Sequence, residues 1–154
     1  MKKTLTPQER EWLSLAEAIA TRAHAGQVDK CGVPYIEHPR TVSAYCESPE
    51  ARIAGLLHDV VEDTEVTLED LKRAGFPEPV LEAVRLVTKF PGYDEDEYYA
   101  AIKANPIARE VKLADLKHNT DPARVPKDAD EALQKQFEQK HEQYREHIRY
   151  LTEE

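Results

Sequence analysis

A chain of 154 residues with 40% hydrophobic content suits one domain with a core of ordinary size, so 1–154 is read as a single domain. Thirty acidic against 21 basic residues give a formal net charge of −9, which argues against nucleic-acid binding while leaving room for a small anionic ligand where charge is locally reversed. Two cysteines that fit neither a disulfide framework nor a CxxC site, no apolar run near the ~18 residues of a membrane span, and a Met-Lys-Lys start without an apolar signal core predict a cytoplasmic protein with no membrane partner.

In chain order, Thr6-Pro7-Gln8-Glu9 is a capping-box start. Trp12, Leu13, Leu15, Ala16, Ile19, Ala20 and Ala23 recur at helical spacing, and Gly26 is placed to end that helix. His24 falls in the last turn, where a histidine can satisfy carbonyls and the dipole as readily as serve as a ligand. Residues 27–37 read as a loop broken by Gly32 and Pro34, with Lys30 free to face an anion. His38-Pro39 opens a short helix through Cys46, and His38 is read as a cap or a buried hydrogen-bonded residue. Ser48-Pro49-Glu50 then starts the next helix.

That helix carries Ile53-Ala-Gly-Leu-Leu-His58-Asp59-Val-Val-Glu62-Asp63-Thr64, on which the chain is organised. At about 100° per residue, His58, Glu62, Asp59 and Asp63 share one side, while Ile53, Leu56, Leu57, Val60 and Val61 share the other. An amphipathic helix with a solvated charged stripe is the plain alternative. Two details favour a bound divalent metal. Adjacent His and Asp supply a neutral nitrogen beside a hard anionic oxygen, and Glu62 and Asp63 sit at the helix end where the macrodipole disfavours acids by ~0.3–1 kcal/mol each.

Thr67-Leu-Glu-Asp70 is another capping box, a further helix is expected over 79–89, and residues 90–97 read as a turn feeding an acidic helix start. Asn105-Pro106 caps a helix on which Lys112, Asp115 and Asn119 share one narrow face. Lys112 and Asp115 could equally be an ordinary surface pair at i,i+3. After a loop containing Pro122 and Pro126, Asp128-Ala-Asp-Glu131 opens a last helix. Its stripe of Leu133, Phe137, His141, Tyr144, Ile148 and Leu151 should pack as a cover, with His141 a hydrogen-bonded core residue. With no alternating strand, repeat or glycine-rich phosphate loop, the expected fold is all-α, a bundle of about eight helices.

Four stretches occur in a telling order and spacing: His24-Ala-Gly-Gln27; Lys30-Cys-Gly-Val-Pro-Tyr-Ile-Glu-His38-Pro; Leu56-Leu-His58-Asp59-Val-Val-Glu62-Asp63-Thr; and Lys112-Leu-Ala-Asp115-Leu-Lys117-His118-Asn119. Together they resemble the HD-domain hydrolases of the RelA/SpoT and metazoan SpoT-homologue type, which remove the 3′-pyrophosphate of (p)ppGpp. The resemblance implies a helical bundle around a central metal site, with His24, His58, Asp59 and Asp115 as ligands. The family usually works with Mn²⁺, while the ligand types also admit Fe²⁺ or Zn²⁺. It further implies Glu62 and Asp63 as the pair that orients or deprotonates water and Asn119 as a pocket residue. Lys30, Lys112 and Lys117 are the candidates for phosphate contact, with plain surface lysines as the alternative. Where the family commonly has two basic residues after the glutamine, this chain has Asp29-Lys30. No synthetase or regulatory region is evident, so the expected protein is a stand-alone hydrolase of a nucleotide. Other readings are an HD phosphatase or phosphodiesterase on another nucleotide, or a non-catalytic nucleotide-binding HD domain.

Overall fold

Side-chain caps set most helix starts in the computed structural model, which describes residues 2–153; positions 1 and 154 of the expected domain lie outside that range. Thr6, Ser48, Thr67, Asp94, Asn105 and Asp130 each accept a backbone N–H from the first turn they precede, and Thr6 and Thr67 complete reciprocal capping boxes with Glu9 and Asp70. Such a cap stabilises a helix by about 1 kcal/mol. The resulting elements are α1 (Pro7–Ala23), α2 (Glu37–Tyr45), α3 (Pro49–Leu57), α4 (Val60–Asp63), α5 (Leu68–Arg73), α6 (Glu78–Val87), α7 (Glu95–Ala104), α8 (Pro106–Asn119) and α9 (Glu131–Thr152), with a 3-10 turn at Pro122–Arg124. Since α4 is a single turn, eight longer helices occur among the described residues, as expected. No strand occurs among them beyond an isolated bridge between Val28 and Pro34.

The bundle is built around α3, where Ala51 and the run 53–57 are all buried. A helix apolar on every side belongs inside, and α3 packs against α1, α2, α6 and α8. Gly55 allows one close approach: a Cβ there would lie 3.2 Å from the Ser43 backbone N and Cα, so α2 rests directly on α3. At the start of α3, the Glu110 carboxylate of α8 accepts from Glu47 N (2.5 Å), Ser48 N (3.2 Å) and Ser48 Oγ (2.7 Å). These contacts hold α2, α3 and α8 together, and each carries part of the site.

Two expectations change. The stretch 53–64 is not one continuous helix: α3 ends at Leu57, His58 and Asp59 form a turn, and α4 resumes at Val60. Asp59 sits at φ −105°, ψ −4°, and the His58 ring takes the Gly55 carbonyl that a continuing ladder would use. The last helix does cover the bundle through Tyr144, Ile148 and Leu151, but His141 is only half-buried, with its ring beside Phe137 and Tyr144. That end of the stripe faces a cavity rather than the core.

Candidate metal centre

Four side chains from three regions converge. His38 comes from α2, His58 and Asp59 from the turn after α3, and Asp115 from α8. His38 Nε2 lies 2.9 Å from Asp115 Oδ1 and 3.7 Å from Asp59 Oδ2; His58 Nε2 lies 3.0 Å from Asp59 Oδ2 and 3.4 Å from Asp115 Oδ1. Ligand atoms of His38, His58 and Asp115 fall within 4.8 Å of one another, and so do those of Asp59, Glu62 and Asp63. The group walls a cavity of about 200 Å³ that Glu62, Asp63, Lys89, Lys112 and Asn119 also line.

Hydrogen bonding fixes how these rings present themselves. His58 Nδ1 lies 2.6 Å from Gly55 O; a carbonyl only accepts, so Nδ1 carries the hydrogen and Nε2 offers a lone pair. That Nε2 is buried and makes no hydrogen bond, although two carboxylate oxygens stand beside it. His38 has two arrangements open to it. Nε2–H can donate to Asp115 while Nδ1 accepts from Arg124 Nη1 (3.1 Å), or Nδ1–H can donate to His118 Nδ1 (2.7 Å), freeing Nε2 as a ligand.

Charge makes the same demand. Burial alone would raise the Asp59 and Asp115 carboxyls, but His58 beside Asp59 holds it down at about 2, and Lys112 with His38 and His58 keeps Asp115 well below the usual range. Burial disfavours charge on His58, yet Asp59 and Asp115 outweigh it and push its pKa well up. Two ionised carboxylates, Asp115 buried and Asp59 partly so, thus call for positive charge at the lone pair of His58. Lys112 supplies part: it is buried, donates to Asp115 Oδ2 (3.1 Å) and lies over the Tyr98 and Tyr99 rings. Two imidazole nitrogens and two carboxylates with water-accessible space beside them fit a divalent ion.

The surrounding residues orient the ligands. The Tyr35 hydroxyl donates to Asp59 Oδ2 (2.6 Å), and Asn119 Nδ2 donates to Asp115 Oδ1 (3.1 Å). Glu62 Oε1 accepts from Lys89 N (2.7 Å), which ties α4 to the end of α6. Asp63, though exposed at the cavity mouth, is pushed up to about 6 by partial desolvation and by the neighbouring Asp59 and Glu62, a value suited to exchanging a proton near neutrality.

Of the residues expected from sequence, the structure brings together His58, Asp59, Asp115, Glu62, Asp63, Lys112 and Asn119. Lys30 lines an adjoining cavity of about 350 Å³, its Nζ 5.0 Å above the Phe137 ring. His24 does not join the cluster. It is buried at the end of α1, its Nδ1 donates to Gln27 Oε1 (3.0 Å), and its Nε2 makes no hydrogen bond. Tyr35 lies beside it, its ring 5.0 Å from that of His24 and 5.7 Å from that of His38. Lys117 is absent from the lining of both cavities and lies over Tyr45; two residues beyond Asp115, it points about 200° around α8. The residues missed are His38, Tyr35, Lys89 and Arg124. Its neighbouring proline pointed His38 to a capping role, and that it faces His58 depends on how α2 packs on α3.

Comparisons with known proteins identify the family. A family model described as HD domain matches residues 16–151. The chain is 36% identical over 145 residues to a guanosine-3′,5′-bis(diphosphate) 3′-pyrophosphohydrolase of Borreliella burgdorferi, covering 82% of this chain and 21% of that protein. It is 39% identical over 117 residues to a GTP pyrophosphokinase of Streptomyces coelicolor, covering 68% of this chain and 14% of that one. The chain thus spans about a seventh to about a fifth of these relatives' length. A solved structure described as a metazoan ortholog of SpoT that hydrolyzes ppGpp and plays a role in starvation responses superposes with a TM-score of 0.67, at 26% identity, over 96% of this chain and 88% of that one.

Proposed function

The chain belongs to the HD-domain family, and on that premise we propose that it is a metal-dependent phosphohydrolase releasing pyrophosphate from the 3′ position of a guanosine alarmone. The observation that carries this reading is the convergence of two imidazole Nε2 atoms with Asp59 and Asp115, beside a second carboxylate pair in one cavity. His38, His58, Asp59 and Asp115 would hold the ion, with Mn²⁺ the family's usual metal and Fe²⁺ or Zn²⁺ compatible with the same donors. A bound divalent ion would offset charge growing on the phosphoryl oxygens and make water a stronger acid. This reading treats 1–154 as one such domain, acting in the cytoplasm; no helix among the described residues is long and apolar enough to cross a membrane.

The chain's own residues would divide the work. Asp63, poised at about 6, takes a proton from the attacking water, and Glu62, braced by Lys89 N, orients that water. The water oxygen bonds to the phosphorus next to the ribose, the bond from that phosphorus to the 3′ oxygen breaks, and the 3′ oxygen takes up a proton. Lys112, Asn119 and Tyr35 position Asp115 and Asp59 through the bonds described above. Lys30 and the other cations around the adjoining cavity are the contacts for the rest of the nucleotide. The substrate assignment is supported by the relatives named for ppGpp 3′-pyrophosphohydrolysis and the ppGpp-hydrolysing structural neighbour.

The test is to incubate the metal-loaded protein with ppGpp within a panel of nucleotides and phosphate esters. The expected products are GDP and intact pyrophosphate. Cleavage of a nucleoside monophosphate with ppGpp untouched would keep the metal chemistry and remove the alarmone; nucleotide binding without any cleavage would replace the enzyme by a binding domain.

A further inference from the structure

Arg124 stands where the two cavities meet and lines both. Its Nη1 donates to Asn119 Oδ1 (2.7 Å) and lies 3.1 Å from His38 Nδ1, and its Nη2 lies 3.9 Å from Asp29 Oδ2. Arginine offers five N–H donors in a rigid fork. These contacts engage at most three, so Nε–H and one Nη2 hydrogen have no bond among the described residues. The fork is therefore fixed in place with donors in hand, the arrangement that recognises a phosphate through paired hydrogen bonds.

Asp29 changes meaning in this setting. Its Oδ1 accepts from Cys31 N (2.8 Å) and Val33 N (3.0 Å), and its carbonyl accepts from Gly32 N (3.0 Å). The carboxylate thus builds the 29–33 turn with one oxygen and faces Arg124 with the other. Cys31 Sγ, from the same turn, donates to the Arg124 carbonyl (3.4 Å). The adjoining cavity gathers Arg124, Lys30 and Lys140 against this one acid. In a chain of net charge −9, that is the local reversal of sign a small anionic ligand requires.

We propose that Arg124, anchored by Asp29 and Asn119, contacts the phosphate group of the nucleotide that lies away from the metal centre. This inference rests on the nucleotide hydrolysis proposed above. It makes Asp29 a positioning residue, and it moves the basic group that position 29 lacks onto the 3-10 turn before α9.

The experiment uses the full metal-loaded chain, with calorimetric titration of GDP and of inorganic pyrophosphate beside steady-state ppGpp hydrolysis. R124Q removes the charge and keeps an amide that can reach Asn119. Its expected effect is about a tenfold rise in the GDP Kd and in KM for ppGpp, the scale of one charge-assisted contact, with kcat within about threefold and metal content unchanged. R124K should fall between R124Q and the parent. D29N keeps the acceptor that builds the turn but loses the charge facing Arg124, so an anchor predicts weaker GDP binding by a few-fold, whereas an acid that merely repels the ligand predicts tighter binding. Parental GDP affinity and KM in R124Q, tighter binding in D29N, or a parent that binds neither GDP nor pyrophosphate each overturn the proposal. Should R124Q not fold, the sign of the D29N effect decides. A parent that binds GDP but leaves ppGpp intact removes the proposed reaction, and the GDP comparison still decides Arg124.

Discussion

The metal centre and the adjoining cavity differ in how they are built. His38, His58 and Asp115 are buried, sit within or at the end of helices locked to the core, and hold one another's oxygens and nitrogens at 2.9–3.4 Å. The second cavity is made by the loop 27–37, the 3-10 turn at Pro122–Arg124 and the free face of α9. One region is set by core packing, which tolerates little displacement. The other is set by a few bonds between loops, where recognition can change without disturbing the fold. A substitution in the first region should therefore remove chemistry outright, and one in the second should tune affinity.

The sharpest way to break that contrast is to exchange the two candidate histidines. His38→Ala should lose stoichiometric metal and reduce turnover to background, because it removes a ligand facing both carboxylates. His24→Ala should retain metal, since its side-chain contacts are Gln27 and Tyr35. Elemental analysis of the two variants reads this directly, and metal lost from His24→Ala with His38→Ala fully loaded would reverse the ligand set. Next in size is Glu62→Gln, which keeps the shape and removes the basic carboxylate. Turnover should fall by about 10²–10⁴-fold at parental metal content; equal loss of metal in Glu62→Gln and Asp115→Asn would make Glu62 a ligand.

A smaller effect concerns pH. Asp63 rises from an ordinary 3.8 to about 6, chiefly through partial desolvation and the charges of Asp59 and Glu62. Between those values the metal-free fold holds a proton that the unfolded chain has released, so stability drops as pH climbs from about 4 to about 6, and this group adds no further loss above that. Asp63→Asn removes the liability. Melting temperatures of the metal-free proteins should show the parent losing ground to the variant across that window; parallel curves would contradict the assigned environment. Smallest of all, Lys117→Ala should leave KM for ppGpp within about twofold, as expected of a lysine lying over Tyr45 and outside both cavities. A tenfold rise would return it to the site.

The same contrast explains what the sequence could disclose. Caps such as Thr6 with Glu9 and Asn105 before Pro106 are local, and helical spacing is local, so the eight longer helices were legible. His58, Asp59, Glu62 and Asp63 lie within six residues on one short stretch, and Lys112, Asp115 and Asn119 share one face of α8, so each half of the metal centre announced itself. Choosing between His24 and His38 required knowing how α1 and α2 pack on α3, and that depends on Gly55 letting α2 approach. Arg124 was illegible for a related reason. It meets Asp29 across a separation that no periodicity spans, and only the closed fold shows that an acid in one loop is answered by a guanidinium in another.

The measurement that bears most directly on the account is anomalous scattering from crystals of the protein loaded with Mn²⁺. The expected result is one strong peak per chain within bonding distance of His38 Nε2, His58 Nε2, Asp59 and Asp115, with Glu62 and Asp63 beside it but unbonded. A peak held by His24 in place of His38, or no peak in crystals of protein that hydrolyses ppGpp, would contradict it.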